Sequence, residues 1–563
     1  MLICGVKASH DGGVAVIDGN RLLFSIEAEK IDNGLRYSPL ANLEQVGEIL
    51  AGEGLDPADV DRFVVDGWWT QDESDPAVVR THAGGRPLTL PVAPYLDGFA
   101  ARDPLTRYTF ADYDFSGASL GYASYHHASN HLLGAYCSSP FAARGEDALV
   151  LVWDGGMAPR LYHVEPRTRS VTTVSVLLPI TGGAFADFSA QFDPFRRDVM
   201  ESDSETQLRH HLSVAGKAMA YAALGTVAES AFPVLEAVMA GFPAISPDNA
   251  RALGEKIAAS RDEMLPGLSN ADLIATFQAY LGRLLLRRLT EVVSARYPKK
   301  APHLAMAGGC ALNIKWNHAL RDSGLFDEIW VPPFPNDSGA ALGTACCEMF
   351  RESGRWALDW DVYSGPLPTR GREPEGWSVR PCGERQLAEV LHRESEPVVV
   401  LSGRAEIGPR ALGNRSILAP AVDPRMKDRL NAIKDREGYR PVAPICLSSR
   451  ASEVFDPGGG DPFMLFEHRM RPGWAKRVPA VVHLDGTARL QTIDVRANSA
   501  TGRILEAYEQ ISGIPVLCNT SANLNGHGFF PDVATAARWG RTRYIWSEGR
   551  LYTNPCPVLA PDV

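Results

Sequence analysis

The chain has 563 residues, a formal net charge of −11 and 45% hydrophobic residues. At roughly 100 to 200 residues per domain, this length predicts two or three domains with large cores. The acidic balance disfavours a nucleic-acid partner, and no apolar run approaches the ~20 residues of a membrane span, so we expect neither nucleic acid nor membrane as a partner.

The sequence has neither a signal-peptide pattern at its N-terminus nor a cysteine pattern typical of secreted proteins. MLICGVKASHDGG at the N-terminus has no basic region followed by a long apolar stretch, and the nine cysteines form no C-x-x-C pair. A disulfide framework and a cysteine-based zinc site are therefore not expected. These features predict a cytoplasmic protein with reduced thiols.

Two segments of the first half share one design, an apolar strand, an Asp-Gly-Gly turn and a second strand. LICGV at 2–6 leads into SHDGGVAVID, and ALVLVW at 148–153 leads into DGGMAPRLYHV. Glycines in such turns let backbone N–H groups approach a phosphate. The repetition predicts a duplicated α/β unit with a nucleotide between its halves, whereas a plain hairpin turn is the alternative for each copy taken alone.

A possible metal site follows from GYASYHHASNHLLGAY at 121–136. His127 and His131 are four residues apart, so both imidazoles lie on one face of a helix and can reach one ion. Asp154 in the second Asp-Gly-Gly turn and Asp337 in PNDSG offer the remaining ligands. Mixed nitrogen and oxygen ligation suits Fe²⁺, Zn²⁺ or Mn²⁺, and a chance pair on a helix surface is the alternative.

Elements alternate regularly in the following stretch. We predict a helix over 270–296 capped by Asn270, a strand over 303–307, a glycine turn, a helix from about 311 and a strand over 328–331. Residues 356–383 are rich in Pro, Gly, Trp and Arg and show no hydrophobic periodicity. This segment is predicted to be a linker between a domain over 1–355 and a domain over 384–563. The second domain opens with a helix near Glu384 and the buried strand PVVVL.

A local excess of positive charge marks the second domain. Eight basic side chains fall between Arg410 and Arg440 against four acidic ones. Gly408, Pro409, Gly413 and Pro441 break the run into turns, which disfavours a plain exposed helix. Arginine forks and lysine bind phosphate or carboxylate oxygens, and the NTSAN sequence at 519–523 adds hydroxyl and amide groups. The set predicts a pocket for small phosphorylated anions.

Six ordered blocks together resemble the NodU/CmcH-type O-carbamoyltransferases over nearly the whole chain. They are HHASNH at 126–131, GGCALN at 308–313, PNDSGAALG at 335–343, EIGPRALGNRS at 406–416, the core of IKDREGYRPVAP and NTSAN. The resemblance implies an α/β fold with a duplicated actin-like ATPase (ASKHA) domain and a C-terminal YrdC-like domain. It also implies that the second domain forms carbamoyl-adenylate from carbamoyl phosphate and Mg²⁺-bound ATP, and that the first domain transfers carbamoyl to a hydroxyl.

The resemblance assigns roles to individual residues. His127, His131, Asp154 and Asp337 match the metal ligands, with Fe²⁺ expected and Zn²⁺ or Mn²⁺ possible. Lys434 and Arg436 match the K-x-R signature and Ser521 and Asn523 the S-x-N signature. With Arg410, Arg415 and Arg440, these residues are expected to bind carbamoyl phosphate and ATP, and Lys434 and Arg436 to be catalytic. The carbamoyl-adenylate is expected to contact a further set: Gly155, Gly156, Lys217, Gly308, Gly309 and Asn313.

The acceptor is less constrained than the donor. A neutral imidazole near pH 7 suits removal of the hydroxyl proton, and His10 in the first Asp-Gly-Gly turn is the candidate base, with a bond to turn backbone as the alternative. EAEKIDNGLRYSP at 27–39 departs from the E-E-E-R-F-like run of many members. The chain looks most similar to members that act on macrocyclic polyketides, so the expected partner is a small-molecule alcohol, bound by a monomer or homodimer.

Two other functions remain open from the sequence. Threonylcarbamoyl modification of tRNA and hydrogenase maturation fit the same fold, although the acidic charge disfavours the first and the lack of paired C-x-x-C motifs disfavours the second. A nucleotide-binding regulator without catalysis is the alternative of another class.

Overall fold

The computed structural model describes residues 1–69, 77–96, 103–117, 121–196, 204–242, 246, 248–298, 301–369, 371–495 and 499–556. The chain forms two compact units. The first comprises Met1–Ala28 and Tyr37–Asp361, and the second comprises Glu29–Arg36 and Val362–Val563. The sequence places residues 29–36 in the first domain, whereas they belong to the second unit. The later division falls inside the predicted linker 356–383.

Two sheets and a separate hairpin make up the strands of the first unit. Their bounds are β1 Leu2–Lys7, β2 Gly13–Asp18, β3 Arg21–Glu27, β4 Arg62–Asp66, β5 Val78–Ala83, β6 Arg86–Pro91, β7 Tyr108–Phe110, β8 Tyr122–Tyr125, β9 Ala148–Val152, β10 Arg160–Glu165, β11 Ser170–Val176, β12 Leu304–Ala307 and β13 Ile329–Trp330. The sheet orders are β3-β2-β1-β4-β8-β7 and β11-β10-β9-β12-β13, and β5 pairs with β6.

The two sheets repeat one topology. In each, three antiparallel strands (β3-β2-β1 and β11-β10-β9) are followed by two parallel ones (β4-β8 and β12-β13). The two Asp-Gly-Gly turns occupy the matching positions after β1 and β9. This repetition confirms the duplicated α/β unit and the actin-like fold class.

The helices of the first unit pack around these sheets. They are α1 Glu44–Gly52, α2 His127–Cys137, α3 Pro140–Arg144, α4 Ala184–Ser189, α5 Ser204–Tyr221, α6 Phe232–Met239, α7 Asn249–Ala259, α8 Arg261–Met264, α9 Asn270–Arg296, α10 Ile314–Asp322 and α11 Ala340–Glu348. The predicted helix 270–296 is confirmed, but Ser269, not Asn270, caps it in a reciprocal pair with Asp272.

Helix α2 is buried along its whole length because it packs against α11 on one side and against β9 and β12 on another. Small residues permit the close crossing of α2 and α11. A Cβ at Gly343 would lie 2.2 Å from the carbonyl oxygen of Asn130, so the two backbones touch there. Helix α11 also packs against β1, so the pair of helices covers both β1 and β9.

The second unit is built on an eight-stranded mixed sheet of order β14-β24-β23-β15-β16-β22-β17-β21, with a small sheet β18-β19-β20 beside it. The strands are β14 Ser378–Pro381, β15 Val398–Leu401, β16 Arg415–Pro420, β17 Ala443–Leu447, β18 Phe455–Asp456, β19 His468–Met470, β20 Thr487–Ala488, β21 Gln491–Ile493, β22 Val516–Ser521, β23 Tyr544–Ser547 and β24 Arg550–Thr553. The helices are α12 Glu384–Glu394, α13 Arg425–Ile433, α14 Ala451–Val454, α15 Pro472–Ala475, α16 Ala500–Ser512 and α17 Val533–Trp539. Helices α12 and α16 pack on each other, and both contribute to the core of this unit.

Residues 29–36 are held in the second unit by specific bonds. Lys30 Nζ donates to the carbonyl oxygens of Glu406 and Gly408, each at 2.7 Å. Asn33 Nδ2 donates to the carbonyl oxygen of Gly528 at 2.5 Å. This excursion places an N-terminal segment beside the loop that carries GPRALGN.

The structure also bears on the bulk predictions. All nine cysteines are free thiols. Within the described ranges, no helix combines the length and the apolar character that a membrane span requires.

Candidate functional site

Four side chains of the first unit converge on one point. His127 and His131 come from α2, Asp154 follows β9 and Asp337 precedes α11. Their four potential ligand atoms all lie within 4.8 Å of one another, and all four residues are buried. The structure thus brings together the four residues predicted to hold a metal.

The donor atoms face each other at distances that suit a shared cation. The two Nε2 atoms are 3.1 Å apart, and Oδ1 of Asp337 lies 3.4 Å from His127 Nε2 and 3.3 Å from His131 Nε2. Asp154 contributes oxygens at 3.7 Å from His127 and 3.8 Å from His131. Two imidazoles and two carboxylates in this arrangement are a typical donor set for Fe²⁺, Zn²⁺ or Mn²⁺.

Two buried residues that the sequence analysis missed support this cluster. Asp66 Oδ2 accepts from His127 Nδ1 at 2.8 Å and from Lys7 Nζ at 2.7 Å, and Lys7 also lies 3.0 Å from Asp337 Oδ2. With Nδ1 donating to Asp66, the lone pair of His127 lies on Nε2, toward the cluster. Lys7 ends β1 and Asp66 ends the adjacent parallel strand β4, so strand pairing sets their contact.

The charges of the cluster favour a divalent cation. Although burial opposes ionisation, Lys7 and His127 hold the pKa of Asp337 well below its ordinary value, and His127 and Lys7 lower the pKa of Asp66. Burial disfavours a charged His127, yet Asp66 and Asp337 raise its pKa overall. Asp66, Asp154 and Asp337 carry three negative charges, and Lys7 carries one positive charge. When both histidines are neutral ligands, the cluster therefore has two excess negative charges. A dication balances that excess and competes with protons for the same nitrogens.

An aromatic stack leads from the cluster to the surface. Tyr95 donates from its hydroxyl to Asp154 Oδ2 at 2.6 Å, and its ring stacks on His127 at a centroid distance of 4.5 Å. The ring of Trp69 stacks in turn on that of Tyr95, at a centroid distance of 4.0 Å. Trp68 forms T-shaped ring contacts with both His10 and His127. The sequence analysis missed this group, although the D-G-W-W sequence at 66–69, at the end of β4, is a signal that could have indicated it.

His10 lies next to the cluster in the first Asp-Gly-Gly turn. Its Nδ1 is 2.9 Å from Asp11 Oδ2, and its Nε2 is 3.7 Å from Asp337 Oδ2. If Nδ1 donates to Asp11, Nε2 carries the lone pair. Asp11 adopts a left-handed backbone with φ of 53°, a conformation that is uncommon outside glycine and that fixes the turn. With that tautomer, the unprotonated Nε2 lies on the side of the metal cluster, and the role of His10 as a base stays a prediction.

The glycine loops mainly hold Asp154 and its surroundings. Gly309 donates its N–H to Asp154 Oδ1 at 2.8 Å, and Gly308 has φ of 85°, with a Cβ there falling 2.4 Å from the carbonyl oxygen of Trp153. A Cβ at Gly156 would collide with Trp69, whereas one at Gly155 would meet no atom within 4 Å. The fold itself thus requires glycine at 308 and 156, and open space lies beside Gly155.

Two predicted nucleotide contacts have other surroundings in the structure. Asn313 caps α10, with Oδ1 accepting from the N–H groups of Lys315 and Trp316 and from Gln278 Nε2 at 3.1 Å. Its amide oxygen is therefore engaged within the protein. Lys217 lies in α5. Its contact with a nucleotide stays a prediction.

The second unit brings the K-x-R and S-x-N segments together. Lys434 Nζ donates to the carbonyl oxygens of Ser521 and Asn523, each at 2.6 Å, and also contacts Asn523 Oδ1. Ser521 Oγ donates to Asn523 Oδ1 at 2.6 Å. Lys434 follows α13 and Ser521 ends β22, about 90 residues later in the chain. The ammonium of Lys434 thus fixes the shape of the S-x-N turn.

Like charges crowd around Lys434. Burial, with the charges of Arg436, Arg36 and Arg440, lowers its pKa well below the ordinary value. Burial and Arg440 lower the pKa of Arg436 to about 9. Arg489, which the sequence analysis missed, has its pKa lowered to about 10 by burial, Arg436 and Arg440, and Asp461 opposes this shift. Mutual repulsion among these cations is relieved by an anion, so the group is suited to bind phosphate oxygens.

Arg410 and Arg415 both lie in the GPRALGNRS loop but have different surroundings. Arg415 is buried, and its terminal nitrogens donate to four carbonyl oxygens, those of Ser402, Asn414, Pro366 and Gly403. Glu406 Oε1 accepts from the backbone N–H groups of Leu412, Asn414 and Arg415 and shapes the same loop. Arg410 is half-buried nearby.

Comparison with known proteins decides the family. The model described as Carbamoyltransferase N-terminus matches residues 2–346, and the model described as Carbamoyltransferase C-terminus matches residues 388–544. The chain belongs to the carbamoyltransferase family. This membership confirms the resemblance stated above and favours an enzyme over a nucleotide-binding regulator.

Named relatives cover almost the whole carbamoyltransferase. Nodulation protein U of Sinorhizobium fredii (strain NBRC 101917 / NGR234) is 45% identical over 99% of both chains. The 3'-hydroxymethylcephem-O-carbamoyltransferase of Streptomyces clavuligerus is 34% identical over 97% of both chains. Among solved structures, full-length HypF in its phosphate- and nucleotide-bound form covers 62% of this chain and 55% of its own, with 10% identity and a TM-score of 0.32. The fold assignment rests on the strand topology and on the family models.

Proposed function

We propose that this carbamoyltransferase forms carbamoyl-adenylate from carbamoyl phosphate and ATP in its second unit, and that its first unit transfers carbamoyl to the hydroxyl of a small natural product. The observation that carries the proposal is the presence of two separate sites of matching chemistry. A cation cluster around Lys434 suits the phosphates of both donors, and an anionic cluster around His127 suits a metal beside a candidate base.

In the second unit, water converts carbamoyl phosphate to carbamate and inorganic phosphate; a carbamate oxygen then bonds to the α-phosphorus of ATP, and pyrophosphate leaves. Arg436, Arg440 and Arg489 bind the phosphate oxygens and lower the repulsion between the two anionic substrates. Ser521 and Asn523, held by Lys434, position the carbamoyl phosphate. We propose that Arg415 instead stabilises the loop that presents Arg410, because four carbonyl oxygens already engage its guanidinium.

In the first unit, His127, His131, Asp154 and Asp337 would hold Fe²⁺, Zn²⁺ or Mn²⁺, which as a Lewis acid stabilises negative charge near the reacting carbonyl. The residues of the chain supply the proton transfer. His10 Nε2 takes the proton of the acceptor hydroxyl, and Asp11 stabilises the resulting imidazolium through Nδ1. The acceptor oxygen bonds to the carbamoyl carbon, the bond from that carbon to the adenylate oxygen breaks, and AMP leaves.

The donor half can be tested without knowing the acceptor. Purified enzyme is incubated with carbamoyl phosphate, ATP and Mg²⁺, and pyrophosphate release and carbamoyl-adenylate are measured, the latter by mass spectrometry. We expect the adenylate with the wild type and at least ~100-fold less with Lys434→Met, which removes the group that holds the S-x-N turn, or with Arg489→Met, which removes a buried phosphate-binding cation. Arg425→Met, which removes a highly exposed arginine of the same basic run, should leave the rate unchanged. Absence of adenylate with the wild type would refute the proposal.

A further inference from the structure

His468 is a fully buried histidine of the second unit to which the steps above give no role. It is the first residue of β19, and none of its surface is accessible. Neither of its ring nitrogens has a hydrogen-bond partner among the residues that the structure describes. An imidazole carries at least one N–H group, and a buried donor without a partner is costly. The ring is therefore suited to bind a small polar molecule from outside the chain, such as water.

Asp461 is the carboxylate beside this ring, and the surrounding loop fixes its position. Its Oδ2 lies 3.5 Å from His468 Nε2. The carboxylate also accepts the N–H groups of Leu465 at 3.1 Å and of Phe466 at 2.9 Å. Met464, just before them, has a left-handed φ of 60°, which is uncommon for a bulky residue. Such strained backbone persists where its surroundings impose it, and it is concentrated at functional sites.

Contacts across the sheet place Asp461 close to the strand of the S-x-N turn. Thr492 of β21 donates its N–H to the carbonyl oxygen of Asp461 at 2.8 Å, and its hydroxyl accepts the N–H of Asp461 at 2.9 Å. The preceding residue, Gln491, accepts at Oε1 from Asn519 Nδ2 at 2.7 Å. Asn519 lies in β22, two residues before Ser521. Two successive residues of β21 thus connect the loop of Asp461 to the strand that ends in Ser521.

The charge of Asp461 also acts on the phosphate-binding cations. Burial, Arg436 and Arg440 lower the pKa of Arg489, and Asp461 opposes this shift. Arg489 Nε and Arg436 Nη2 are buried and have no hydrogen-bond partner within the described ranges. Guanidinium donors of this kind are suited to phosphate oxygens. His468 and Asp461 therefore lie in the neighbourhood where the phosphate of carbamoyl phosphate is proposed to bind.

We propose that His468 is the general base for the water that hydrolyses carbamoyl phosphate, and that Asp461 positions its ring. This proposal rests on the proposed function, whose first step consumes water and assigns no group to accept its proton. The arginines hold the phosphate oxygens, so the phosphate is the leaving group and the carbonyl carbon is the atom attacked.

The step balances with the groups that are present. The oxygen of water bonds to the carbonyl carbon as one of its protons moves to a ring nitrogen of His468. The bond from that carbon to the phosphate oxygen then breaks, and the departing phosphate takes the proton from His468. The carbamic acid that remains loses its acidic proton to become carbamate, which is the nucleophile for the α-phosphorus of ATP.

Carbamate supplied directly separates this step from the next one. Carbamate forms chemically in a mixture of ammonia and bicarbonate, so the enzyme with ATP and Mg²⁺ can be given either carbamoyl phosphate or carbamate. Carbamoyl-adenylate is measured by mass spectrometry in both cases. We expect His468→Gln to be at least ~100-fold slower than the wild type with carbamoyl phosphate, because glutamine is polar but is not a base. With carbamate, the same variant should react at the wild-type rate.

Two further variants complete the comparison. Asp461→Asn should show the same selective loss with carbamoyl phosphate, but a smaller one, since Asp461 orients the ring and does not take the proton. His392→Gln, which changes an exposed histidine of the same unit, should leave both rates unchanged.

The remaining outcomes are distinct. Equal rates of His468→Gln and the wild type with carbamoyl phosphate would overturn the proposal. Loss of both rates in His468→Gln would mean that the ring only shapes the second unit, and would also overturn it. A wild type that uses carbamoyl phosphate but not carbamate would contradict the order of steps on which the base depends. Absence of adenylate from both sources with the wild type would instead refute the proposed function itself.

Discussion

Asp66 lies 2.8 Å from Nδ1 of His127, and this contact fixes the direction in which the imidazole presents its other nitrogen. Asp66 is not one of the four converging ligand residues. It acts through His127 by fixing the tautomer and the ring orientation, and through Lys7 by holding a positive charge beside Asp337. It is therefore a positioning residue.

Asp66→Asn should weaken binding of a divalent metal about 10- to 100-fold, because an amide orients the imidazole less firmly and removes one negative charge. Competition with a chromogenic chelator measures the affinity directly, without a catalytic assay. Glu348→Gln is the matched control, since Glu348 is another fully buried carboxylate of the first unit, bound by Arg107 and Tyr125. Equal metal affinity in Asp66→Asn and wild type would contradict the role assigned to Asp66.

Binding of pyrophosphate to the second unit should take up protons. Burial and the neighbouring arginines lower the pKa of Lys434 in the free protein, and an anion raises it again. Lys434 is protonated below its lowered pKa, so the affinity is highest there and falls as pH rises through that value. Between the free and bound pKa values, each binding event adds a proton.

Calorimetry in two buffers of different ionisation enthalpy measures this uptake. We expect a buffer-dependent binding enthalpy between the free and the bound pKa values of Lys434, and we expect this dependence to be lost in Lys434→Met and retained in Arg425→Met. A buffer-independent enthalpy in the wild type across pH 7 to 10 would show that Lys434 does not change its protonation on binding.

Two glycines that look alike in the sequence should behave differently. Gly308→Ala should lower the free energy of unfolding by about 2–4 kcal/mol, because the residue has φ of 85° and its Cβ would meet the backbone of Trp153. Gly155→Ala should leave the thermal midpoint nearly unchanged, since its Cβ would meet open space. If the adenylate contacts this turn, Gly155→Ala should weaken AMP binding even though its thermal midpoint is nearly unchanged. Equal midpoints for the two variants would contradict the structural assignment.

Arg415→Met should destabilise the second unit by roughly 3–5 kcal/mol, because it leaves four carbonyl oxygens without their donor and a buried pocket poorly filled. Denaturant unfolding gives this change. The residual folded fraction should bind pyrophosphate with nearly normal affinity. A variant of wild-type stability that has lost pyrophosphate binding would restore Arg415 to the anion site.

The sequence by itself determined the features that depend on local spacing. The i, i+4 pair His127 and His131, the repeated Asp-Gly-Gly turns, the long helix α9 and the break of the basic run into turns all follow from helical periodicity or turn chemistry. Six ordered motifs were sufficient to identify the family.

The tertiary structure alone decided which groups support these residues. Lys7 meets Asp66 because β1 lies beside β4. Arg36 approaches Lys434, and Arg489 approaches Arg436 and Arg440, from distant parts of the chain. It also showed that Arg415, Asn313 and Gly309 use their polar groups within the protein. Such contacts depend on strand order and on packing between remote segments, which no local pattern encodes, whereas backbone periodicity is written in neighbouring residues.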